Sequence, residues 1–306
     1  MKEVTVFAPA TVANVSCGFD VLGFCLDHVG DEITVRKSET PGVRITRIEG
    51  QDLPKATKKN VAGVAVEALL EHVETSFGFE IEIKKGIKAG SGIGSSAASS
   101  AGAVYGVNAL LGNPFTKNEL IPFAMRGEEL ASGAAHADNV SPALLGGFTL
   151  VQCGKKPDVI SLPAPKELFA TIIHPKIELR TADARSVLKK SIPLDKAIQQ
   201  WGNLAALVSG LYTDDYDLIA RSLVDVVIEP ERSVLIPHFN ELKSTALSAG
   251  ALGGGISGSG PSIFSLSQGE ETAEKVRLAL VKTFSPLNIP FDTFVSKINT
   301  QGVKLL

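Results

Sequence analysis

The sequence has few cysteines and no long apolar run. Its three cysteines, Cys17, Cys25 and Cys153, stand apart in the chain, and none forms a Cys-x-x-Cys pair. This spacing argues against a structural zinc site and against a disulfide framework, and it favours a reducing, cytoplasmic compartment. The N-terminus lacks the apolar core of a signal peptide, and no segment approaches the ~18 consecutive apolar residues of a membrane span. We therefore expect no membrane partner.

An excess of positive charge is also missing. The chain holds 30 lysines and arginines against 33 aspartates and glutamates, so its formal net charge is -3. A protein that binds nucleic acid needs basic side chains to neutralise phosphates, so we expect no nucleic-acid partner. A small anionic substrate is compatible with this balance, because only the local charge matters there. The length of 306 residues predicts one large or two medium domains.

The residue patterns predict a chain of mixed helices and strands. Strict alternation predicts a strand over Phe79–Lys84, and helical spacing predicts a helix after Asn60 and another over Ser96–Leu111. A further helix begins near Thr116 with a capping box, whereas the small and polar residues of Ala8–Gly23 predict a loop. In the second half we predict strands over Phe169–Pro175 and Phe294–Asn299 and helices over Thr181–Lys190, Leu194–Tyr212, Tyr216–Val227, Phe239–Ala249 and Glu270–Thr283.

The stretch from Gly90 to Gly102 combines alternating glycines with a run of serines and alanines. Its portion Gly92–Ala97 matches the dinucleotide-binding pattern G-x-G-x-x-G/A, but one such match is weak evidence. The strand before it carries a polar face, whereas the first Rossmann strand is buried on both faces. Lys85–Ala89 also separate that strand from the first glycine, and no Walker A pattern occurs in the chain.

A glycine- and serine-rich loop before a helix favours the binding of an anion. Glycines let the backbone approach the anion closely, and the helix N-terminus adds positive potential. Ser95 and Ser96 offer hydroxyl groups to phosphate oxygens or to a magnesium ion. A tight strand-to-helix turn without a ligand is the alternative that this stretch alone leaves open.

Three stretches, in this order, resemble the motifs of the GHMP kinase superfamily: Ala8–Gly23, Gly90–Gly102 and Gly253–Leu266. The resemblance implies an α+β, two-domain fold. Its N-terminal, ATP-binding domain, residues 1–160, would be like domain 2 of ribosomal protein S5, and its C-terminal domain, residues 161–306, would be ferredoxin-like. The active site would lie in the cleft between them. The boundary is expected in the proline-rich segment near residue 160.

The homoserine kinases are the most similar branch of that superfamily. Segments that resemble theirs are Gly127–Leu150, Thr181–Arg185 and Glu229–Pro237. One departure is Lys88, which stands where the family usually has proline; we expect it to alter the entry to the loop without loss of a phosphate contact. The loop residues that the resemblance assigns to ATP are Lys88, Ala89, Gly90, Ser91, Gly92, Ile93, Gly94, Ser95, Ser96, Ala97 and Ala98.

The same resemblance implies roles for residues outside the loop. Glu128 and Ser96 would hold Mg²⁺ and act in catalysis, and Glu129 would face solvent. Asp20 is the third catalytic candidate, as a binding residue first and a base second. Two arginines suit a substrate carboxylate, because the planar guanidinium group can bind it bidentately. The predicted substrate-binding residues are Asn14, Asp20, His136, Asn139, Thr181, Arg185 and Arg232.

The implied reaction transfers the γ-phosphoryl group of ATP to the hydroxyl of L-homoserine, with Mg²⁺ as cofactor and a homodimer as the assembly. The glycine-rich first part of the third motif, Gly253–Pro261, is expected to pack beside the loop and hold its shape. Three alternatives remain: a related kinase for mevalonate or a sugar, a regulator that kept the fold without the chemistry, and a dehydrogenase. The last depends only on the dinucleotide pattern.

Overall fold

The computed structural model describes residues 1–152, 154, 158–179 and 181–306. Cys153 and the start of the proline-rich segment lie outside the described residues. The elements in chain order are β1 (Glu3–Val15), β2 (Gly18–Ser38), β3 (Val43–Glu49), α1 (Val61–Leu70), β4 (Gly78–Lys84), α2 (Ser95–Leu110), α3 (Lys117–Ser132), α4 (Val140–Leu145), β5 (Phe148–Gln152), β6 (Asp158–Leu162), β7 (Leu168–Pro175), α5 (Thr181–Ser186), α6 (Leu194–Thr213), α7 (Tyr216–Ser222), α8 (Glu229–Arg232), α9 (Phe239–Ser248), β8 (Gly253–Ile256), β9 (Ile263–Gln268), α10 (Glu270–Phe284), β10 (Phe291–Lys297) and β11 (Lys304–Leu305).

Two separate sheets organise the described residues, as an α+β chain requires. The first has seven strands in the order β11-β1-β2-β4-β3, and β5 joins it by pairing with β2 and β6. Only β3 and β4 pair in parallel, and α1, α2 and α3 pack together over the sheet. The second sheet is antiparallel, in the order β10-β7-β9-β8, and α10 packs on it.

Sequence signals for the ends of several elements are confirmed. The Asn60 side chain caps α1 by accepting a hydrogen bond from the amide of Ala62, and the capping box of Thr116 and Glu119 starts α3. Helices α5 and α7 end several residues before their predicted ends, at Ser186 and Ser222. The sequence patterns missed β3, β6, α4 and α8, and the predicted glycine loop of the third motif contains β8 and part of β9.

The prediction of a loop over Ala8–Gly23 is wrong, because most of these residues extend strands β1 and β2 into one long hairpin. Ala8, Ala10 and Val12 are fully buried. The small alanine side chains allow helix α2 to pack closely on β1. A Cβ atom on Gly102 of α2 would lie only 2.8 Å from the Cβ of Ala8. The hairpin reverses just beyond Val15, so its tip reaches the cleft.

The two sheets are joined by contacts along the middle of the molecule. Ser296 on β10 accepts a hydrogen bond from the amide of Asp27 on β2 at 2.7 Å, and a bridge pairs Leu26 with Ile298. Strand β11 returns the end of the chain to β1 in the first sheet. The boundary near residue 160 stays a prediction.

A buried ion pair connects the first sheet to helix α2. The carboxylate of Asp31 on β2 accepts hydrogen bonds from the amides of Gly86 and Ile87 at 3.0 and 3.1 Å and from the Ser99 hydroxyl at 2.9 Å. The Lys85 ammonium pairs with the same carboxylate and donates to Ser99. Both charged side chains are almost inaccessible to water, with exposed fractions of 0% and 1%. This cluster therefore sets where α2 begins relative to the sheet.

Loss of the Asp31 carboxylate should destabilise the fold far more than loss of the Glu32 carboxylate next to it in the chain. Asp31→Ala leaves a buried ammonium and two buried amides without their acceptor, and we expect the free energy of unfolding to fall by about 3–5 kcal/mol. Glu32→Ala removes the adjacent, exposed ion pair with Lys84 and should cost less than about 1 kcal/mol. Urea unfolding of both variants measures the difference, and equal losses would contradict the importance of the cluster.

Candidate active site

A cleft of about 1030 Å³ collects most of the predicted site residues into one cavity. It lies where the β1–β2 hairpin, the N-terminus of α2, and helices α5 and α8 meet. The predicted residues that line it are Asn14, Asp20, Lys88, Ala89, Gly90, Gly92, Gly94, Ser95, Ser96, Glu128, His136, Asn139, Thr181, Arg185 and Arg232. The cavity is large enough to hold a nucleotide together with a small second molecule.

Four residues of the predicted loop do not line the cleft with their side chains. Ser91, Ile93, Ala97 and Ala98 are buried, with exposed fractions of 4% or less. Ile93 and the two alanines belong to the main hydrophobic core. Any contact that these residues make with a ligand would come from their backbone.

Two serines of the third motif hold the backbone of the glycine loop, which we define as Gly90–Ser96. Ser262 donates a hydrogen bond to the carbonyl oxygen of Ser91 at 2.6 Å, and Ser257 donates one to that of Gly92 at 2.7 Å. Both serines are fully buried, so water does not compete for these bonds. The third motif thus packs beside the loop, as expected from the sequence.

Three consecutive carbonyl groups of the glycine loop are turned away from the cleft. Beyond the two held by serines, the Ile93 carbonyl oxygen accepts from the amide of Thr11 on β1 at 3.2 Å. In a trans peptide the N–H points opposite to the C=O, so the amides of Gly92, Ile93 and Gly94 point away from these buried partners, and Gly92 and Gly94 line the cleft. Successive amides in this arrangement form an anion-binding concavity, and the N-terminus of α2 adds positive partial charge to it.

Glycine is required at two positions of this loop. Gly92 and Gly94 have φ of +82° and +71°, which is left-handed backbone that other L-residues adopt at a cost. A Cβ on Gly92 would lie 2.6 Å from the carbonyl oxygen of Gly260, and one on Gly94 would lie 2.0 Å from the Thr11 hydroxyl. The loop is therefore in close contact with both the third motif and β1.

Glu128 on α3 is a buried carboxylate that faces the cleft. Burial raises its pKa to about 7, while a hydrogen bond with Ser96 and the charge of Lys85 act in the opposite direction. Its Oε1 atom is buried without a hydrogen-bond partner among the described residues. Glu129, in contrast, is exposed and pairs with Arg126 at 2.6 Å. Of the two neighbours, Glu128 is therefore the one that lines the cleft, and its role there stays a prediction.

The two serines at the start of α2 have different environments. The Ser95 hydroxyl donates to the carbonyl oxygen of Ile87 at 2.9 Å and is buried, whereas the Ser96 hydroxyl lies close enough to Glu128 to lower the pKa of that carboxyl. Ser96 and the unpartnered oxygen of Glu128 are oxygen donors of the kind that Mg²⁺ prefers, and this ion commonly takes its other ligands from water and phosphate. These two residues fit a magnesium site. Among the described residues, no cluster of three His, Cys, Asp or Glu side chains could hold a metal.

Charged groups from both halves of the chain meet on the opposite wall. The guanidinium group of Arg185 pairs with Asp20 at 2.7 Å and lies 2.8 Å from Nε2 of His136. Nδ1 of His136 lies 3.8 Å from Asp20. Burial is the main reason that the pKa of His136 is lowered, and the positive charges of the two arginines add to it. Three predicted substrate-binding residues, Asp20, His136 and Arg185, are thus in contact.

Arg232 lies deeper in the same wall. It is 3% exposed, and it donates to the carbonyl oxygens of Ala184 and Gly258 at 2.9 and 3.3 Å. Burial, followed by the nearby charge of Arg185, lowers its pKa to about 10. The Phe19 ring lies beneath both guanidinium groups, with ring centroid distances of 5.6 and 4.8 Å. The arginines are therefore held by stacking as well as by hydrogen bonds.

The predicted amide and hydroxyl residues also hold the walls together. Asn14 donates to the Gly258 carbonyl oxygen at 2.7 Å and accepts from the amide of Asp20 at 2.8 Å. Asn139 accepts from the Thr11 hydroxyl at 2.7 Å, and the Thr181 hydroxyl lies 3.3 Å from that of Ser259. Asn14 thereby fixes the tip of the β1–β2 hairpin.

Two residues of the cleft, Asp138 and Lys85, and one beside it, Phe19, were missed from the sequence. Asp138 is buried, and burial together with the charges of Asp20 and Glu128 raises its pKa to about 7. Lys85 lines the floor of the cleft, and Phe19 supports the arginines. The contacts of His136 are with Arg185 and Asp20. No sequence signal marks Phe19.

Comparisons with known proteins identify the family of this chain. The family of the GHMP kinases N terminal domain matches residues 60–147, and that of the GHMP kinases C terminal matches residues 204–286. A homoserine kinase of Chlorobaculum tepidum is 49% identical over 100% of this chain and 99% of its own length. One from Xylella fastidiosa strain M12 is 40% identical over 99% of this chain and 94% of its own length.

A solved structure is also similar. The crystal structure of homoserine kinase from Cytophaga hutchinsonii has 52% sequence identity and a TM-score of 0.97, and the alignment covers 100% of this chain and 98% of that one. The α+β, two-domain fold that the sequence resemblance implies is thereby confirmed. In the part of the chain that the structure describes, no helix has the length and apolarity to cross a bilayer.

Gly92 and Gly90 offer a matched test of the loop geometry. Both have positive φ, so alanine at either position should cost roughly 1–2 kcal/mol of backbone strain. Only Gly92 also faces the Gly260 carbonyl, since a Cβ on Gly90 meets nothing within 4 Å. We expect Gly92→Ala to lower the free energy of unfolding by about 1–3 kcal/mol more than Gly90→Ala does. Similar values in chemical denaturation would show that the contact is unimportant.

Proposed function

Because the chain belongs to the homoserine kinase family of the GHMP kinase superfamily, it is a kinase, and we propose that it transfers the γ-phosphoryl group of ATP to the hydroxyl of L-homoserine. The products are ADP and O-phospho-L-homoserine. The observation that carries the proposal is the cleft itself. It combines an anion-binding loop, a buried carboxylate with one oxygen that has no partner among the described residues, and a pair of arginines within one cavity.

The triphosphate of ATP would lie on the glycine loop. Three successive amides and the N-terminus of the sixteen-residue helix α2 offer hydrogen-bond donors and positive potential to phosphate oxygens. Lys88, which lines the cleft and is exposed, adds a mobile ammonium group at the entry to the loop. Such prearranged donors stabilise the charge that spreads over the transferred group.

Glu128 and Ser96 would hold the magnesium ion. When bound, Mg²⁺ neutralises negative charge on the phosphate oxygens as the transfer proceeds. Burial raises the pKa of Glu128, and a bound divalent cation would favour its ionised form. Ser96 is the better hydroxyl ligand of the pair, because Ser95 already donates its proton to a backbone carbonyl.

The arginine wall would bind the amino-acid part of the substrate. L-Homoserine carries a carboxylate and an ammonium group on one carbon, and the wall offers Arg185 and Arg232 to the first and Asp20 to the second. The ion pair between Arg185 and Asp20 is complementary to this zwitterion. His136 and Asn139 would orient the remaining atoms, and the hydroxyl would face the glycine loop across the cleft. Asp20 serves binding first, and a role as base is secondary.

A coupled assay of ADP release tests the proposal against its alternatives. We expect turnover with L-homoserine and little with mevalonate or galactose, because neither of these carries the carboxylate and ammonium pair. Preference for mevalonate or galactose would indicate another kinase of the superfamily. Absence of ATP binding would indicate a regulator. The homodimer and the cytoplasmic location stay predictions.

Replacement of Glu128 should abolish the magnesium-dependent reaction. We expect Glu128→Ala to lower kcat by about 10²–10³-fold, equivalent to ~2.7–4 kcal/mol of lost transition-state stabilisation, with an intact fold by circular dichroism. Glu129→Ala is the matched control, since its exposed carboxylate contacts only Arg126 among the described residues. A near-normal rate for the Glu128 variant at saturating Mg²⁺ would contradict the assignment.

Removal of the buried arginine of this wall should weaken the binding of homoserine selectively. For Arg232→Met we expect KM for L-homoserine to rise by roughly 10–100-fold, because charged hydrogen bonds contribute ~1.5–3 kcal/mol each, while KM for ATP changes little. Arg47→Met removes an exposed arginine that pairs with Glu49 on β3 and should change neither constant. A rise in KM for ATP alone would place the arginine in the nucleotide site instead.

A further inference from the structure

His174 is a buried histidine outside the cleft that the proposed reaction does not use. It lies near the end of β7 and is 5% exposed. Its Nδ1 atom lies 3.1 Å from the hydroxyl of Ser262, which itself donates to the Ser91 carbonyl oxygen at 2.6 Å. A chain of two hydrogen bonds therefore runs from the second sheet to the glycine loop.

The number of protons available on Ser262 determines which group donates in each of these two hydrogen bonds. A serine hydroxyl has one proton, and that of Ser262 is committed to the carbonyl of Ser91, which can only accept. His174 must therefore donate from Nδ1, so the neutral ring carries its proton there. Its Nε2 atom is then a bare acceptor, and it is buried without a partner among the described residues.

We infer that His174 is a positioning residue for the glycine loop: its Nδ1–H holds the Ser262 hydroxyl in the orientation that pins the Ser91 carbonyl. The pinned carbonyl aims the amide of Gly92 at the cleft, because the two groups of a trans peptide point in opposite directions. Without this donor the hydroxyl can rotate toward other acceptors, and the amide loses its fixed direction. The triphosphate of ATP is the ligand that would bind less tightly, so the inference rests on the proposed function.

The surroundings of His174 keep its ring neutral. Burial is the largest cause that lowers its pKa, the positive charges of Lys88 and Lys176 add to it, and the carboxylate of Asp292 on the neighbouring strand β10 opposes it. A neutral ring has one donor and one acceptor, and this fixed state is what a positioning role requires.

Three substitutions of His174 distinguish the loss of its hydrogen-bond donor from a change in side-chain volume. Asn places an amide N–H where Nδ1–H stands, Gln places it at the position of Nε2, and Leu has no donor. We expect His174→Leu and His174→Gln to raise KM for ATP by roughly three- to tenfold, the worth of one neutral hydrogen bond. His174→Asn should stay within about twofold of the wild type. For all three, kcat and KM for L-homoserine should change little.

A double-mutant cycle tests whether His174 acts through Ser262. If it does, Ser262→Ala should raise KM for ATP at least as much as His174→Leu, and the double variant should be no worse than Ser262→Ala alone. Additive effects would overturn the inference, as would an Asn variant that behaves like the Leu variant or a Leu variant with an unchanged KM for ATP.

The tautomer can be measured directly on the wild-type protein. Nitrogen-15 NMR of the histidine rings should show His174 protonated at Nδ1 and not at Nε2 near neutral pH. A proton at Nε2, or a doubly protonated ring, would overturn the inference even if the variants do not fold. This result does not depend on turnover. A wild-type protein that leaves L-homoserine unphosphorylated would instead count against the proposed function.

Discussion

The buried carboxylate of Asp31 is the contact on which the candidate site depends. It binds the Lys85 ammonium, two amides at the entry to the glycine loop and the Ser99 hydroxyl on α2. A buried charge is tolerated only when it is paired and hydrogen-bonded, so these partners must keep one geometry. That geometry places the N-terminus of α2, and with it the glycine loop, at the edge of the cleft.

The second half of the chain completes the site from the other side. The hydroxyl groups of Ser257 and Ser262 turn two carbonyls of the glycine loop away from the cleft, and Arg185 reaches across to Asp20 on the hairpin. Neither half alone has the anion-binding amides in their final direction together with the arginine wall. The cleft between the sheets is therefore one functional unit, although its residues come from distant parts of the sequence.

Much of the site could be predicted from the sequence, but for different reasons. The glycine loop was recognisable because positive φ and close backbone approach require glycine, and both requirements leave a visible pattern. Glu128 was selected over Glu129 only through the family resemblance, since local composition cannot tell which carboxylate is buried. Asp138 and Phe19 were missed because burial and stacking depend on neighbours that are remote in the chain. The loop predicted over the first motif was wrong, since small residues that favour turns also permit tight strand-to-helix packing.

Short-range backbone preferences, which act over a few neighbouring residues, were enough to predict the capped helices, the alternating strand β4 and a glycine-rich turn before a helix. The carboxylates and arginines of the site were assigned by the family resemblance. Tertiary structure alone decided which oxygen of Glu128 stays unpartnered, that Ser95 and Ser96 differ, and that His174 contacts the loop through Ser262. Those properties arise from burial and from hydrogen bonds between residues as far as 171 positions apart, and no local pattern encodes such distances.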